Sequence, residues 1–262
     1  MKNGLTKISL SCLLILLILL AGCCINIGCF GKAKCEKTEQ LSTAFPAGGT
    51  LDVETDCGSI TVTGADVTDC NIIATVCVKA STNEKAQKIA EAVKISFEQA
   101  GQTLTIETEK PHLRNNCSIG VSFNITVPKQ TSLRLRTDVG KIRVSDISQQ
   151  IEAQSDVGSI TCKQISGDID LKVDVGKATV VYSDTAPPIC NATVKTDVGA
   201  IDFTGPPNMS AQLDLHTDVG SINTNREIKI TGKISKNRLK GTIGTGEGKL
   251  HLSTDVGSIN LK

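Results

Sequence analysis

The sequence predicts an all-β protein whose C-terminal half is a β-solenoid, a chain wound so that the strands of successive turns stack. Three observations predict it. A six-residue phrase built around Asp-Val-Gly occurs in seven near-copies in 262 residues, the first of which has Cys in place of Val. Apolar and polar residues alternate on both sides of each copy, which is the period of a half-buried strand. Between residues 138 and 218 the copies recur every 18 to 23 residues without a helical pattern between them, as in repeat folds.

The positions around each phrase predict which side chains face the core. Counted from the aspartate, the residues five and three places earlier are apolar in all seven copies, and so is the residue four places later. The residue six places later is apolar in six copies, and it is Thr224 in the remaining one. Each copy is therefore predicted to be strand, corner, strand, with one buried face on each strand.

The Asp-Val-Gly step is predicted to be the corner itself. An aspartate can accept a hydrogen bond from its own backbone two residues on, and a glycine adopts positive φ without steric cost. Each corner needs the same turn chemistry, which explains why the phrase recurs. A second interpretation, seven copies of a functional carboxylate, stays open. The predicted turn residues are Asp56, Gly58, Asp138, Gly140, Asp156, Gly158, Asp174, Gly176, Asp197, Gly199, Asp218, Gly220, Asp255 and Gly257.

Two folded sections are predicted. Residues 129–262 form the solenoid, a single-chain β-helix for which parallel crossovers favour a right-handed winding, with residues 226–249 as an extra, irregular coil. Residues 49–128 form a β-rich capping section, in which Ala86, Ile89, Ala90 and Val93 have the spacing of one short amphipathic helix. A hairpin is predicted to turn at Ala100-Gly101, and the copy at 55–60 is expected in the same sheet system as the others.

The N-terminus predicts export and a lipid anchor. Lys2 and Lys7 precede an apolar run over residues 8–20, as in a secretory signal. The following "LAGC" is similar to a bacterial lipobox, so residues 1–22 are expected to be removed and Cys23 to carry acyl chains. Residues 23–48 are predicted to be a flexible tether. The protein is then expected on the cell membrane or outer membrane, facing the periplasm or the exterior; an ordinary signal peptide is the alternative.

Charge and cysteine content restrict the partners. Removal of residues 1–22 takes two of the 28 basic residues and none of the 27 acidic ones, so the mature chain is near neutral and nucleic acid is not an expected partner. Export permits disulfides among the eleven cysteines. Some are expected among Cys57, Cys70, Cys77 and Cys117, whereas Cys162 falls on a buried position.

No catalytic or metal-binding motif is recognisable. The three histidines have no ligand spacing, and one acid with one glycine per coil is too sparse for the calcium-binding β-rolls. The chain has no Trp and one Tyr, which disfavours aromatic platforms for sugars. We therefore expect no cofactor, no metal and no enzymatic activity.

Several stretches together resemble one family. "AGGTLDVETDCGSITVTG", "VSFNITVPKQTSLRLRTDVGKIRVSDI" and the later T-D-V-G-x-I copies look like the bacterial "putative adhesin" family of exported or membrane-associated β-strand-repeat proteins. The resemblance covers residues 45–262 and implies a β-solenoid. With the lipobox, it implies a non-enzymatic envelope protein whose scaffold serves adhesion or binds a protein or polysaccharide. A polysaccharide-acting β-helical enzyme and an envelope stress or signalling partner are the alternatives, and the ligand and oligomeric state stay open.

Overall fold

A computed structural model describes residues 33–112, 117–189, 191–231 and 235–262. The described chain is almost entirely β, as predicted, and its strands form one large sheet with a single helix packed on it. The strands are β1 Ala33–Ala44, β2 Thr50–Ala65, β3 Asp69–Ala80, β4 Lys94–Ala100, β5 Thr103–Glu109, β6 Ser118–Pro128, β7 Ser132–Ser145, β8 Ile151–Ile165, β9 Ile169–Tyr182, β10 Asn191–Thr204, β11 Ala211–Thr224, β12 Lys229–Ile230, β13 Arg238–Ile243 and β14 Gly248–Leu261, and the helix is α1 Asn83–Ala92.

The repeat phrases lie side by side in a parallel ladder. β2, β7, β8, β9 and β10 follow one another in this order, and each pair is parallel and in register. The glycines of the phrase are direct partners, as in the pair Gly140↔Gly158 between β7 and β8. β2 carries the copy at 55–60, so the expectation that this copy joins the same sheet is confirmed.

The last strand of the chain does not lie at the end of the ladder. β14 is parallel to both β10 and β11 and separates them, so the order is β10-β14-β11. The expectation of an extra coil over residues 226–249 is wrong, because β12 and β13 form an antiparallel hairpin that pairs with the outer edge of β11. This segment contains no Asp-Val-Gly step and therefore lacks the corner that a parallel coil requires.

The core lies on one side of each bent strand. Each ladder strand continues through its phrase, but the buried positions change phase there. Residues three and one places before the aspartate are buried, and in every ladder strand except β11 the next buried residue is four places after it. An odd step in a period-two pattern requires a bend. All fourteen predicted core residues before the aspartates are buried. Ile222 is only partly buried and Thr224 is exposed, since this half of β11 lies at the open end of the parallel ladder.

The N-terminal section caps the other end of the ladder. β6 pairs in parallel with β2, and β3 and β1 add antiparallel strands beyond it. The predicted helix is confirmed: Thr82 caps it by accepting a hydrogen bond from the Lys85 amide (3.2 Å), and Ala86 and Ala90 are buried. The hairpin is confirmed too, with β4 and β5 joined through Gly101 at φ 63°.

The predicted tether over residues 23–48 is wrong for residues 33–44. These residues form β1, which pairs along its whole length with β3. Charged residues obscure the strand pattern here, and charges are a common feature of edge strands because they discourage pairing with other chains. Lys37 and Glu39, for example, form an ion pair at 2.6 Å.

The predicted signal peptide, residues 1–22, and the predicted lipid attachment at Cys23 lie outside the described residues. In the part of the chain that the structure describes, no helix combines the length and hydrophobicity needed to cross a membrane.

Candidate interaction surface

The glycine of each phrase touches the strand next to it. A Cβ atom on Gly158 would fall within 3.0 Å of the carbonyl oxygen of Gly140, a distance that real Cβ atoms essentially never show. The same relationship links the glycines of every neighbouring pair from β2 to β11. Six of the seven have positive φ, between 146° and 157°, whereas Gly140 does not. What all seven share is therefore the close backbone approach, and sequence reasoning had assigned them only a turn role.

The residue before each aspartate is buried and carries a hydroxyl in six of seven copies. The Thr137 hydroxyl donates to the Gly58 carbonyl (3.3 Å), and those of Thr217 and Thr254 donate to Gly257 and Gly199 (both 3.2 Å). Thr55 makes the equivalent bond to Val121 on β6 (3.0 Å). These bonds satisfy the carbonyls that point at the glycines. Sequence reasoning missed this role, although the recurrent Ser or Thr was a visible signal.

The seven aspartates form a column on the surface. Among the described residues, no backbone amide two residues on donates to one of these carboxylates, so the expected Asx bond is not found; several of the carboxylates accept from side chains instead. Arg136 contacts Asp138 (3.3 Å) and Asp156 (3.4 Å), and Lys172 contacts Asp174 (3.0 Å). The hydrogen bond to Asp174 raises the pKa of Lys172. Within the described chain, Asp197 and Asp255 form no ion pair.

Beside this column lies a face of mixed charge. The side chains two and four places before each aspartate point outward, and Arg134 bridges Asp52 (3.2 Å) on one neighbouring strand and Glu152 (3.6 Å) on the other. The hydrogen bond to Asp52 raises the pKa of Arg134. These groups are largely exposed, so each pair contributes little to stability but helps to fix the register.

The residues three and five places after each aspartate form the other flank of the corner. This flank carries basic side chains on β7 and β9 and side-chain amides on β14 and β11. Lys141 and Arg143 project there from β7 and make no ion pair with a described residue. Asn223 donates to Asn260 (3.0 Å), which donates to Asp202 (2.7 Å). Burial raises the pKa of Asp202, but hydrogen bonds from Lys177 and Asn260 outweigh it, so this pKa lies below its usual value.

An exposed apolar stripe runs along the corner between the two flanks. The residue after the aspartate is valine in six copies, and each of these valines is 47–64% exposed. In spatial order the valine stripe is Val139, Val157, Val175, Val198, Val256 and Val219, with Cys57 in the first place on β2. Sequence reasoning assigned these valines no role.

Among the described residues, the free thiols include those of Cys57, Cys70, Cys77, Cys117 and Cys162. The expected disulfides among Cys57, Cys70, Cys77 and Cys117 are therefore absent from the described chain. Cys70 and Cys77 lie seven residues apart on β3 and point to opposite faces. Cys57 and Cys77 lie on strands that β6 separates, about 10 Å apart at normal strand spacing, which is too far for a disulfide. Cys162 is buried in the core, as expected.

The histidines do not combine into a ligand set. His216 Nε2 lies 2.8 Å from Asp218 Oδ1, and His251 lies on the neighbouring strand β14. Among the described residues no group of three or more His, Cys, Asp or Glu side chains is placed to hold a metal ion. The absence of a metal and of a cofactor stays a prediction.

Among known proteins, this chain is similar only to solved structures. No family model and no curated protein matches the chain. A "putative cell adhesion protein" from Clostridium sporogenes aligns over 86% of this chain and 99% of its own, with 18% identity and a TM-score of 0.46. A "putative adhesin" from Bacteroides fragilis aligns over 86% and 97%, with 12% identity and a TM-score of 0.31. Another from Parabacteroides distasonis aligns over 87% and 97%, with 10% identity and a TM-score of 0.32.

Proposed function

We propose that this chain is a non-enzymatic envelope protein, held to a membrane by lipid on Cys23, whose stacked repeats form a scaffold for adhesion or for binding a protein or polysaccharide. The observation that carries the proposal is the register of the ladder. Since seven phrases align, equivalent outward residues form continuous columns from β2 to β11. Such an extended, repetitive surface suits a polymeric partner better than a small molecule.

The proposal includes a β-solenoid over residues 129–262. Parallel in-register partners such as Leu133↔Ile151 and Ile151↔Ile169 stand 18 residues apart in the chain, which is the advance expected of one coil. Right-handed winding is proposed on the general preference of parallel crossovers.

The chemistry of the surface favours a partner with cationic groups. The aspartate column and the neighbouring mixed face together carry more acidic than basic side chains. Asp197, Asp255 and Asp218 are exposed and consecutive on β10, β14 and β11. Asp218 contacts His216, but Asp197 and Asp255 form no ion pair with a described residue, so their charges are available to an amino sugar polymer or a lysine-rich protein.

The location of the aromatic residues weighs against a sugar-processing enzyme. Phe45, Phe123 and Phe203 are buried in the core. Tyr182, also buried, donates its hydroxyl to the Gly167 carbonyl (3.0 Å). These rings are unavailable as stacking platforms for a sugar chain.

The anchor is tested by replacing Cys23 with serine and fractionating cells that express the full-length chain. We expect the wild type in the membrane fraction and Cys23→Ser in the soluble fraction, because the acyl chains are lost. Cys24→Ser is the matched control and should remain in the membrane fraction. Unchanged fractionation of Cys23→Ser would refute the anchor.

The binding surface is tested with chitosan oligosaccharide as a cationic probe. The triple variant Asp197→Asn, Asp255→Asn and Asp218→Asn removes three neighbouring charges with little change of shape. We expect it to weaken chitosan binding at least several-fold, since it removes the local negative potential. The control Asp66→Asn, Asp69→Asn and Asp184→Asn removes the same charge at exposed positions off the column and should bind like the wild type. Equal loss in both variants, or no binding by the wild type, would contradict the proposed cationic partner.

A further inference from the structure

The valine stripe is an apolar column between polar columns of the same strands. The outward residues four and two places before each aspartate and five places after it are all polar, and among those three places after it Ala200 is the only apolar residue. Strand propensity alone would favour β-branched residues at all of these positions. Instead the exposed valines concentrate in one column.

We propose that the valine stripe is a self-association surface, on which a second copy of this chain packs its own stripe side by side with both ladders running in the same direction. The stripe spans seven strands, or about 29 Å at normal strand spacing. A second copy presents valines with the same spacing, whereas the 5.4 Å pitch of a helix does not match it.

Charge complementarity between the two flanks of the stripe determines the relative direction of the two copies. The aspartate column flanks the stripe on one side, and Lys141 and Lys177 flank it on the other. A twofold axis parallel to the stripe places each aspartate opposite the residue on the other flank of the second copy at the same level. Asp138 then faces Lys141 and Asp174 faces Lys177, which also pairs with Asp202 of its own chain. At the other five levels the facing residue is serine or alanine, so no level brings two acidic groups of these columns together. A twofold axis across the stripe would instead place seven aspartates against seven aspartates, and like charges in close contact oppose association.

The apolar area of the valine stripe indicates a weakly associated dimer. Six half-exposed valines offer roughly 300 Å² of apolar surface, which is at the lower end of the largest patch on a typical monomer, and such patches are often functional. A standard interface buries about 800 Å² per partner, so the stripe and its flanks fit a reversible dimer rather than an obligate one. This inference goes beyond the proposed adhesion role and does not depend on the lipid anchor.

Cys57 provides a test of the direction. In the parallel pair Cys57 lies opposite Cys57 of the second copy, at the first place of both stripes. Copper–phenanthroline with dissolved oxygen removes two electrons and two protons from such a thiol pair and joins them in a disulfide. We expect the full-length chain in mild detergent to yield a disulfide-linked dimer on a non-reducing gel, and Cys57→Ser to abolish it.

Val198→Asp tests the stripe itself, with Thr193→Asp on the same strand as the matched control. Both add one acidic group at a solvent-accessible position of β10, but only Val198 lies on the stripe. We expect Val198→Asp to raise the dimer dissociation constant in sedimentation equilibrium at least tenfold and to reduce the Cys57 crosslink, with Thr193→Asp unchanged. A wild type that stays monomeric up to about 1 mM would overturn the proposal. A dimer that survives Val198→Asp would overturn the valine stripe as its interface. A dimer that forms no Cys57 crosslink would overturn the parallel direction.

Discussion

The carbonyl oxygen of Gly140 occupies the space that the side chain of any other residue at position 158 would need. The Gly158 carbonyl stands in the same relation to Gly176, and the contact continues through Gly199, Gly257 and Gly220. The corner is therefore a place where neighbouring backbones approach more closely than a side chain permits. This contact, repeated at every level of the ladder, accounts for the recurrence of glycine at one position of the phrase.

The first prediction concerns the stability lost when a side chain is introduced where Gly158 contacts the Gly140 carbonyl. We expect Gly158→Ala to lower the free energy of unfolding by about 3 kcal/mol or more, because the new Cβ must displace backbone rather than a flexible side chain. Gly101→Ala is the control: Gly101 has φ 63°, but its Cβ would meet nothing within 4 Å. It should cost only the 1–2 kcal/mol or so of a left-handed residue. Denaturant unfolding measures both values, and equal costs would contradict the role of close approach.

The second prediction concerns the buried hydroxyls. Thr137→Val removes the hydrogen bond to the Gly58 carbonyl at nearly constant volume, and we expect a loss of about 1 kcal/mol in unfolding free energy. Ser155 lies at the equivalent position of the next strand, but its buried hydroxyl has no hydrogen-bond partner among the described residues. Ser155→Ala should therefore be close to neutral. Val173 occupies the same position on β9 without a hydroxyl, so the fold accommodates an apolar residue there. A larger loss for Ser155→Ala than for Thr137→Val would contradict this explanation.

The sequence predicted the burial pattern well because a period-two pattern is a local property. Leu133, Leu135 and Ile142 could be assigned to the core from their neighbours alone, and they are buried. The phrase also located each corner. The hydroxyl-to-carbonyl bonds and the glycine contacts could not be predicted in the same way, since they join residues on different strands and depend on a register that no single copy contains.

The order of the strands in the sheet is the other property that local sequence patterns could not predict. The copies at 217–222 and 254–259 have the same sequence, so nothing in the phrase itself indicates which one lies at the end of the ladder. Thr224 carried the only visible signal, as the one polar residue at an otherwise apolar position, and its strand is the one with an exposed second half. β1 was missed for a related reason, since its charged residues hide the alternation that its partner β3 shows clearly.

The third prediction concerns the buried thiols. Burial raises the pKa of Cys162 and of Cys70 to about 12, from 9.0. The neutral thiol is thus favoured in the folded state, so its contribution to stability is complete below pH 9 and is lost as the pH rises from about 9 to 12. Cys162→Val should reduce this alkaline loss, and valine should fit, because Val144 and Val180 are its partners on the two neighbouring strands.

Unfolding measured between pH 7 and 11 tests this prediction, and alkylation provides a second readout. At pH 8 in the native protein, iodoacetamide should modify the exposed Cys57 and leave Cys70 and Cys162 unmodified, as mass spectrometry would show. Rapid native alkylation of Cys162, or an alkaline loss that is identical in Cys162→Val and in the wild type, would contradict its burial in the core.

The fourth prediction follows from the position of β14 between β10 and β11. In a stack of repeats, each strand is stabilised mainly by its two neighbours, so damage to an inserted strand should spread in both directions. Leu252 on β14 is buried, and it pairs with Val194 on β10 and with Leu215 on β11. Leu252→Ala should cost about 2–5 kcal/mol, and native-state hydrogen exchange should show reduced protection in both β10 and β11. Leu215→Ala removes a comparable side chain from β11 itself and should weaken β11, β13 and β14 while β10 keeps its protection. If Leu252→Ala left β10 as protected as the wild type, β14 would not be the strand that joins β11 to the rest of the ladder.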